Sequence, residues 1–325
     1  MRVLAGDVGG TNARLAIVEM DDAGARTVAE RDYPSGDYDG LATIVEKFLA
    51  DTGAAAERGC IAIAGPVVDG RAQATNLPWT VDGDALGRAA RVAHFGLIND
   101  FFAVGIGIDL LGAEDVVTLQ RGQPAARGPV GYLGAGTGLG VGFRLWSGDG
   151  YRVYPSEGGH VDFAPRSDVQ QELLRFLRDK YGRASNERIL SGNGIADLYR
   201  FLALDAGAAA NPAIEREMNE RDPAAVVTDH ALAGDDMLCV RAVELFVRVL
   251  GAVAGNLALV AVATGGIYIA GGIAPRIVDK LTGSAFLEAF NDQGRLSTLV
   301  ASAPVHVITN TKVGLLGAAR YAARH

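Results

Sequence analysis

Cysteine is scarce in this chain, and an excess of positive charge is missing. Only Cys60 and Cys239 occur in 325 residues, far apart and with no Cys or His at ligand spacing. Neither a disulfide framework nor a structural zinc site is supported. Lys plus Arg number 30 against 38 Asp plus Glu, a net charge of −8, with no basic stripe to offset it. Binding to nucleic acid through phosphate neutralisation is therefore not expected. No Asn-x-Ser/Thr acceptor is present, and Met1-Arg2 runs straight into an apolar run, leaving no room for a signal peptide. These absences lead to the expectation of a soluble cytoplasmic protein. Gly-Lys-Ser/Thr does not occur either, which excludes a P-loop.

Long apolar runs are also rare, with one exception. Between Arg248 and Arg276 no residue is charged, a stretch long enough by count to span a bilayer. It is rich in Gly and Ala, carries Asn256 and Thr264, and is interrupted by Gly265-Gly266. A buried helix ending near Thr264, then a buried strand Ile267–Ala270, fits it better than one span, so no membrane partner is expected. At 49% hydrophobic the chain can bury a large core, and its length exceeds the usual single-core limit, so two lobes are expected. No low-complexity tail or Pro/Ser linker separates them.

What is present begins with Gly6-Asp7-Val8-Gly9-Gly10-Thr11-Asn12, flanked by the apolar runs Val3–Ala5 and Leu15–Val18. A glycine turn between two strands lets backbone approach a ligand closely, and its successive N–H groups form a concavity suited to phosphate oxygens. Thr11 and Asn12 add side-chain donors, and Asp7 a carboxylate able to hold Mg²⁺ near those phosphates. A plain hairpin turn is the competing reading. Strands are expected at 3–8, 13–19, 27–33 and 60–64, with a helix over 38–50 on the spacing of Leu41, Ile44, Val45 and Phe48. The loop Ala74–Trp79 offers Asn76 as a donor and acceptor for a polar ligand, or merely caps a turn over a core Trp79. Phe95–Ile98 reads as a strand ending at Asn99-Asp100, followed by a helix with Phe101, Val104, Gly105 and Ile108 on one face. Asn99 and Asp100 are ordinary caps for such a helix. The carboxyl end of a strand is also where open α/β sheets place ligands, and an acid there can orient a hydroxyl and take its proton.

A second glycine turn, Gly134-Ala135-Gly136-Thr137-Gly138-Leu139-Gly140, again lies between two strand-like runs. Counted as a dinucleotide fingerprint it reaches Leu139 where Gly or Ala is needed, and a strand rather than a helix follows. Two such hairpins imply an internally duplicated fold gripping phosphates from both lobes. In Glu157-Gly158-Gly159-His160 an acid and an imidazole flank two glycines, an arrangement suited to a vicinal diol. Glu187, beside Arg188, reads on local grounds as an exposed helix-start acid. Helices are expected over 168–180, with Leu173, Leu174 and Leu177 inward, and over 194–204, 223–233 and 236–263. Gly271-Gly272 follows the strand Ile267–Ala270, where a flat adenine could lie on backbone or the chain simply turns. A strand at 305–309 and a helix from Val313 close the chain.

With these residues in view, the chain resembles the bacterial ATP-dependent glucokinases of the hexokinase/actin/Hsp70-type superfamily over nearly its full length. The motifs that carry the resemblance are Gly6–Arg14, Ile98–Phe101, Gly134–Gly140, Glu157–Phe163 and Ala270–Ile273, in that order. The resemblance implies an α/β, two-lobed, actin-like (ribonuclease H-like) ATPase fold, with a cleft between a small lobe (1–110 plus 301–325) and a large one (111–300). By the same resemblance the first glycine turn (Gly6, Asp7, Val8, Gly9, Gly10, Thr11, Asn12) and the second (Gly136, Thr137, Gly138) are phosphate loops. Gly271 and Gly272 belong to the adenosine motif, and Asn99, Asp100, Glu157, His160 and Glu187 match sugar-binding positions. For Glu187 the resemblance reverses the local reading. A homodimer is also implied. The related repressor–kinases carry a cysteine-rich zinc motif and in some members a DNA-binding domain; both are missing here, so zinc and repression are not expected.

The expected reaction is transfer of the γ-phosphoryl group of Mg·ATP to the 6-hydroxyl of glucose. Asp100 acts as catalytic base, Asn76 joins the sugar-binding set, and Asp7 holds Mg²⁺ through water. Kinases of other hexoses or amino sugars share the fold and remain alternatives, as do actin-like filament proteins. Chaperone-type ATPases need a peptide-binding domain for which the chain has no length.

Overall fold

The computed structural model describes residues 1–21, 24–74, 77–205 and 211–325. The chain forms two compact units, Met1–Asp115 with Asn310–His325, and Val116–Thr309.

In the first unit β1 (Arg2–Val8), β2 (Asn12–Asp21) and β3 (Gly24–Pro34) form an antiparallel meander, followed by helix α1 (Leu41–Thr52). Strand β4 (Arg58–Ile63) pairs parallel to β1. Three short strands, β5 (Val67–Val68), β6 (Arg71–Gln73) and β7 (Thr80–Asp82), make a separate small sheet before α2 (Gly83–Ala90). Then β8 (Phe95–Asn99) pairs parallel to β4 and leads directly into α3 (Asp100–Gly107). The sheet order is β3-β2-β1-β4-β8.

Strand β1 is central and buried on both faces, which its two-residue period explains. Leu4 and Val8 join the α1 side with Ile44 and Phe48, whereas Val3 and Ala5 face the C-terminal helix (Val313–Arg324) with Leu315 and Ala318. Gly6 falls on the α1 side, where a Cβ would stand 2.7 Å from Leu15 and 2.8 Å from Ile61. Asp7 falls on the C-terminal helix side. Of the expected α3 face, Gly105 and Ile108 are buried but Phe101 and Val104 only partly so, and Ala103 and Gly107 are buried instead. Small residues win because the C-terminal helix approaches closely: a Cβ on Gly107 or Gly317 would strike backbone oxygen of Val313 or Ala103. Trp79 is core, with Nε1 donating to the Tyr38 carbonyl oxygen at 3.2 Å. Thr75 and Asn76, and with them the proposed Asn76 sugar contact, lie outside the described residues.

The second unit opens with β9 (Val116–Gln120), then β10 (Val130–Ala135), β11 (Leu139–Trp146) and β12 (Tyr151–Tyr154). Helices α4 (Asp168–Tyr181), α5 (Gly192–Asp205), α6 (Pro212–Glu220), α7 (Pro223–Ala233) and α8 (Met237–Ala261) follow. After β13 (Gly266–Ala270) come α9 (Val278–Leu281), α10 (Ser284–Asn291) and α11 (Ser297–Ala301), and β14 (Val305–Ile308) completes the sheet. Its order is β12-β11-β10-β13-β14-β9, with β13 parallel to β10 and to β14. The charge-free segment is two elements, as expected: α8 ends at Ala261, Val262 turns into the left-handed region, and β13 begins at Gly266. Its glycines let α10 approach, because a Cβ on Gly251 or Gly255 would meet the carbonyl oxygen of Phe286 or Phe290. Among the described residues no helix is long and apolar enough to cross a membrane.

Candidate active site

In the first unit the candidate residues gather at the carboxyl ends of β1 and β8. The turn after β1 closes with the Gly9 amide donating to the Asn12 carbonyl oxygen at 3.0 Å. Gly9, Thr11 and Asn12 are exposed there, while Gly6 and Val8 point into the core, so only their backbones face the turn. Asp7 lies opposite Arg14 in the β1–β2 ladder. Burial pushes its carboxyl up to about 6; the Asp100 charge adds to that and Arg14 opposes it. A Cβ on Gly314, in the first turn of the C-terminal helix, would stand 3.2 Å from Asp7 Oδ2. No sequence signal connects Gly314 to Asp7; only the packing of the last helix on β1 does.

The Asn99-Asp100 pair divides its labour. Asn99 is the N-cap of α3, its Oδ1 accepting from the amides of Phe101 and Phe102 at 2.9 and 3.0 Å. Its Nδ2 donates to the Gly65 carbonyl oxygen at 3.1 Å and to Asp100 Oδ1 at 3.0 Å. All four hydrogen-bonding positions of the Asn99 amide are thereby occupied, and one consequence is that Asp100 is oriented. The Phe101 amide also donates to Asp100 Oδ1, at 2.8 Å.

In the second unit the candidates converge on the glycine turn between β10 and β11. The Gly136 amide donates to the Gly138 carbonyl oxygen, and the Gly192 amide to that of Gly136, both at 2.9 Å. Glu157, exposed, precedes a one-turn 3₁₀ helix, Gly158–His160, and Glu187 sits in another, Asn186–Arg188. The two are stitched together by the Asn186 amide donating to the Val161 carbonyl oxygen at 2.9 Å and the Phe163 amide to that of Ala184 at 3.0 Å. His160 Nδ1 thereby lies 3.8 Å from Glu187 Oε1. Glu187 Oε2 accepts from the Leu139 amide at 3.0 Å and stands 2.5 Å from where a Cβ of Gly138 would be.

The turn bearing Glu187 is itself anchored. The Arg188 guanidinium stacks 4.1 Å over the Tyr181 ring, and the Tyr181 hydroxyl donates to Asp197 Oδ2 at 2.6 Å. Asp197 is buried and also pairs with Lys180 at 2.5 Å. Sequence reasoning did not single out these residues, since nothing in the spacing from Tyr181 to Asp197 marks a network. Gly271, with φ +85°, packs on the backbone of Ala135, and the Ile273 amide donates to the Ala135 carbonyl oxygen at 3.2 Å. Around a Cβ placed on Gly272 there is open space. Gly271–Gly272 therefore adjoins the β10 end of the second glycine turn.

Comparison with known proteins gives one answer. The family profile described as Glucokinase matches residues 4–325. A protein named glucokinase from Nostoc sp. is 44% identical over 338 aligned positions, covering 99% of each chain. The crystal structure of glucokinase from an Antarctic psychrotroph superposes with a TM-score of 0.86 at 31% identity, covering 100% of this chain and 99% of that one. A ROK-family glucokinase from Streptomyces griseus, solved in complex with glucose and AMPPNP, shares the fold at a TM-score of 0.67 and 21% identity, covering 100% of each chain.

Proposed function

The chain belongs to the glucokinase family, and from that premise we propose how its residues phosphorylate the 6-hydroxyl of glucose with the γ-phosphoryl group of ATP. The observation that carries the reading is Asp100, an acid fixed at the carboxyl end of β8 by the cap of its neighbour Asn99. There it orients the sugar hydroxyl and takes its proton. A carboxylate is a weak base at neutral pH, but phosphoryl transfer proceeds through a loose transition state in which alignment outweighs early deprotonation. Glu157, His160 and Glu187 hold sugar hydroxyls, with His160 and Glu187 already side by side. A hexose lacking a recognised hydroxyl would leave one of these groups unpaired, at a cost of roughly 1–3 kcal/mol each when buried.

The glycine turns at 9–12 and 136–138 supply backbone amides to the triphosphate, and Gly271–Gly272 supplies a side-chain-free surface for adenine. Asp7 would hold Mg²⁺ through water, a role suited to a carboxyl that burial and the Asp100 charge make costly to ionise alone. Bound there with the nucleotide, the ion neutralises phosphate charge. We assign the two units to the small and large lobes of a duplicated actin-like fold. Supporting the duplication, each sheet contains an antiparallel meander whose first strand continues into two parallel strands: β3-β2-β1-β4-β8 and β12-β11-β10-β13-β14. A homodimer acting in cytoplasmic glycolysis completes the proposal, on the family resemblance.

A coupled assay across glucose, mannose, fructose and glucosamine, with ATP, ADP and polyphosphate as donors, tests it. Glucose with ATP is expected to give the highest kcat/KM. Faster phosphorylation of another sugar, or none of glucose, would defeat the assignment.

A further inference from the structure

Leu139 is the first residue after the second glycine turn, and both loops assigned to the sugar close on its peptide groups. Its amide donates to Glu187 Oε2 at 3.0 Å, while Gly159 lies against its carbonyl oxygen so closely that no Cβ would fit. Glycine backbone is conformationally permissive, so beyond the bond within the Gly136–Gly138 turn, from the Gly136 amide to the Gly138 carbonyl oxygen, its shape depends on contacts from outside. Two hydrogen bonds reach its ends from outside: the Gly192 amide on the Gly136 carbonyl oxygen at one end, and the Glu187 carboxylate on the Leu139 amide at the other. The same carboxylate occupies the space beside Gly138 that a side chain would fill.

We infer that Glu187 is a positioning residue for the phosphate turn as well as a sugar ligand, so that one carboxylate preorganises the nucleotide grip. This rests on the reading of Gly136–Gly138 as a phosphate loop and of Glu187 as a sugar contact. The two oxygens share the work: Oε2 holds Leu139, and Oε1 faces His160. Because a single side chain serves both, sugar contact and turn geometry are energetically coupled, and such coupling is reciprocal.

Two substitutions separate the roles. In Glu187→Gln the amide oxygen still accepts from Leu139, whereas Glu187→Ala removes the acceptor. The first measurement needs no ligand: hydrogen–deuterium exchange across residues 134–142, with the α8 segment as a control for global folding. Exchange at Leu139 is expected to rise at least tenfold in Glu187→Ala and to stay near wild type in Glu187→Gln. The second is isothermal titration of AMPPNP without sugar, expected to weaken about tenfold in Glu187→Ala and less than threefold in Glu187→Gln, on the scale of one charge-assisted hydrogen bond. Unchanged exchange in Glu187→Ala, an equal rise in both variants, or unchanged AMPPNP affinity in Glu187→Ala overturns the positioning role. Glucose titration reads the sugar role separately: unaltered glucose affinity in both variants removes Glu187 from the sugar set while leaving the turn result standing. Failure of the wild-type protein to bind AMPPNP would defeat the phosphate reading, and this inference with it, before any variant is compared.

Discussion

Gly159 packs so tightly on Leu139 that its α-carbon faces the Leu139 carbonyl oxygen with no room for a β-carbon. The His160 loop and the second glycine turn are therefore joined through backbone. Gly159→Ala must push the two apart, and overpacking of this kind costs about 1–3 kcal/mol. Thermal unfolding should fall by several degrees and kcat/KM for glucose should drop at least tenfold. Gly136→Ala is the control for stability, since no heavy atom lies within 4 Å of a Cβ there. Equal melting temperatures for Gly159→Ala and wild type would show the contact to be looser than described.

Asp100→Asn keeps an oxygen to accept from Asn99 and Phe101, so the cap and the fold should survive. Loss of the proposed general base is expected to lower kcat by about 10²–10⁴. Glucose affinity, measured by titration, should change less than threefold. A kcat within tenfold of wild type would remove Asp100 from the proton transfer.

Asp7 gives a pH dependence whose sign is fixed. Its carboxyl is raised from 3.8 to about 6 in the folded protein, so the native state binds more protons than the unfolded one across that interval. Stability of the ligand-free protein is then lost as pH rises through the interval, by roughly 1–3 kcal/mol. Asp7→Asn carries no such penalty. Denaturant unfolding should show the variant gaining on wild type between about pH 4 and pH 6, with the difference constant above, while its turnover collapses. Parallel stability profiles would contradict the raised carboxyl.

His230 works in the opposite sense. Hydrogen bonds to Asp235 at 2.8 Å and Glu217 at 3.1 Å hold its imidazolium and raise its pKa above the usual histidine value. The stabilisation is full below about pH 6.5 and disappears as pH rises through the raised value. His230→Gln should cost up to about 1 kcal/mol near pH 6, as partly exposed pairs do, and progressively less as pH rises through the raised value. A melting-temperature difference that ignores pH would show that the ion pairs contribute no stability.

Local pattern reading went furthest where burial is two-sided or glycines break a run. The strands flanking both glycine turns, the helix on Leu41, Ile44, Val45 and Phe48, and the split of the charge-free segment follow from period and punctuation alone. It failed at short or half-exposed elements: β9 is partly buried along nearly all its length, and the β5-β6-β7 strands are two or three residues each. Such segments have too few residues to display a period.

For the site, sequence settled which groups are available, because glycine turns, capping residues and acids announce themselves by type and order. It could not decide their roles. Asn99 reads locally as a cap, but residue type alone does not show that its amide engages Gly65, Asp100 and two α3 amides at once. Glu187 reads as a solvated acid until backbone bonds from Asn186 and Phe163 bring its turn beside Gly138. Asp7 becomes a costly carboxyl only because the C-terminal helix covers its face of β1 and Asp100 lies near. Periodicity and residue type act over a few neighbours. Desolvation, charge coupling and close backbone approach join positions remote along the chain, and those only folding brings together.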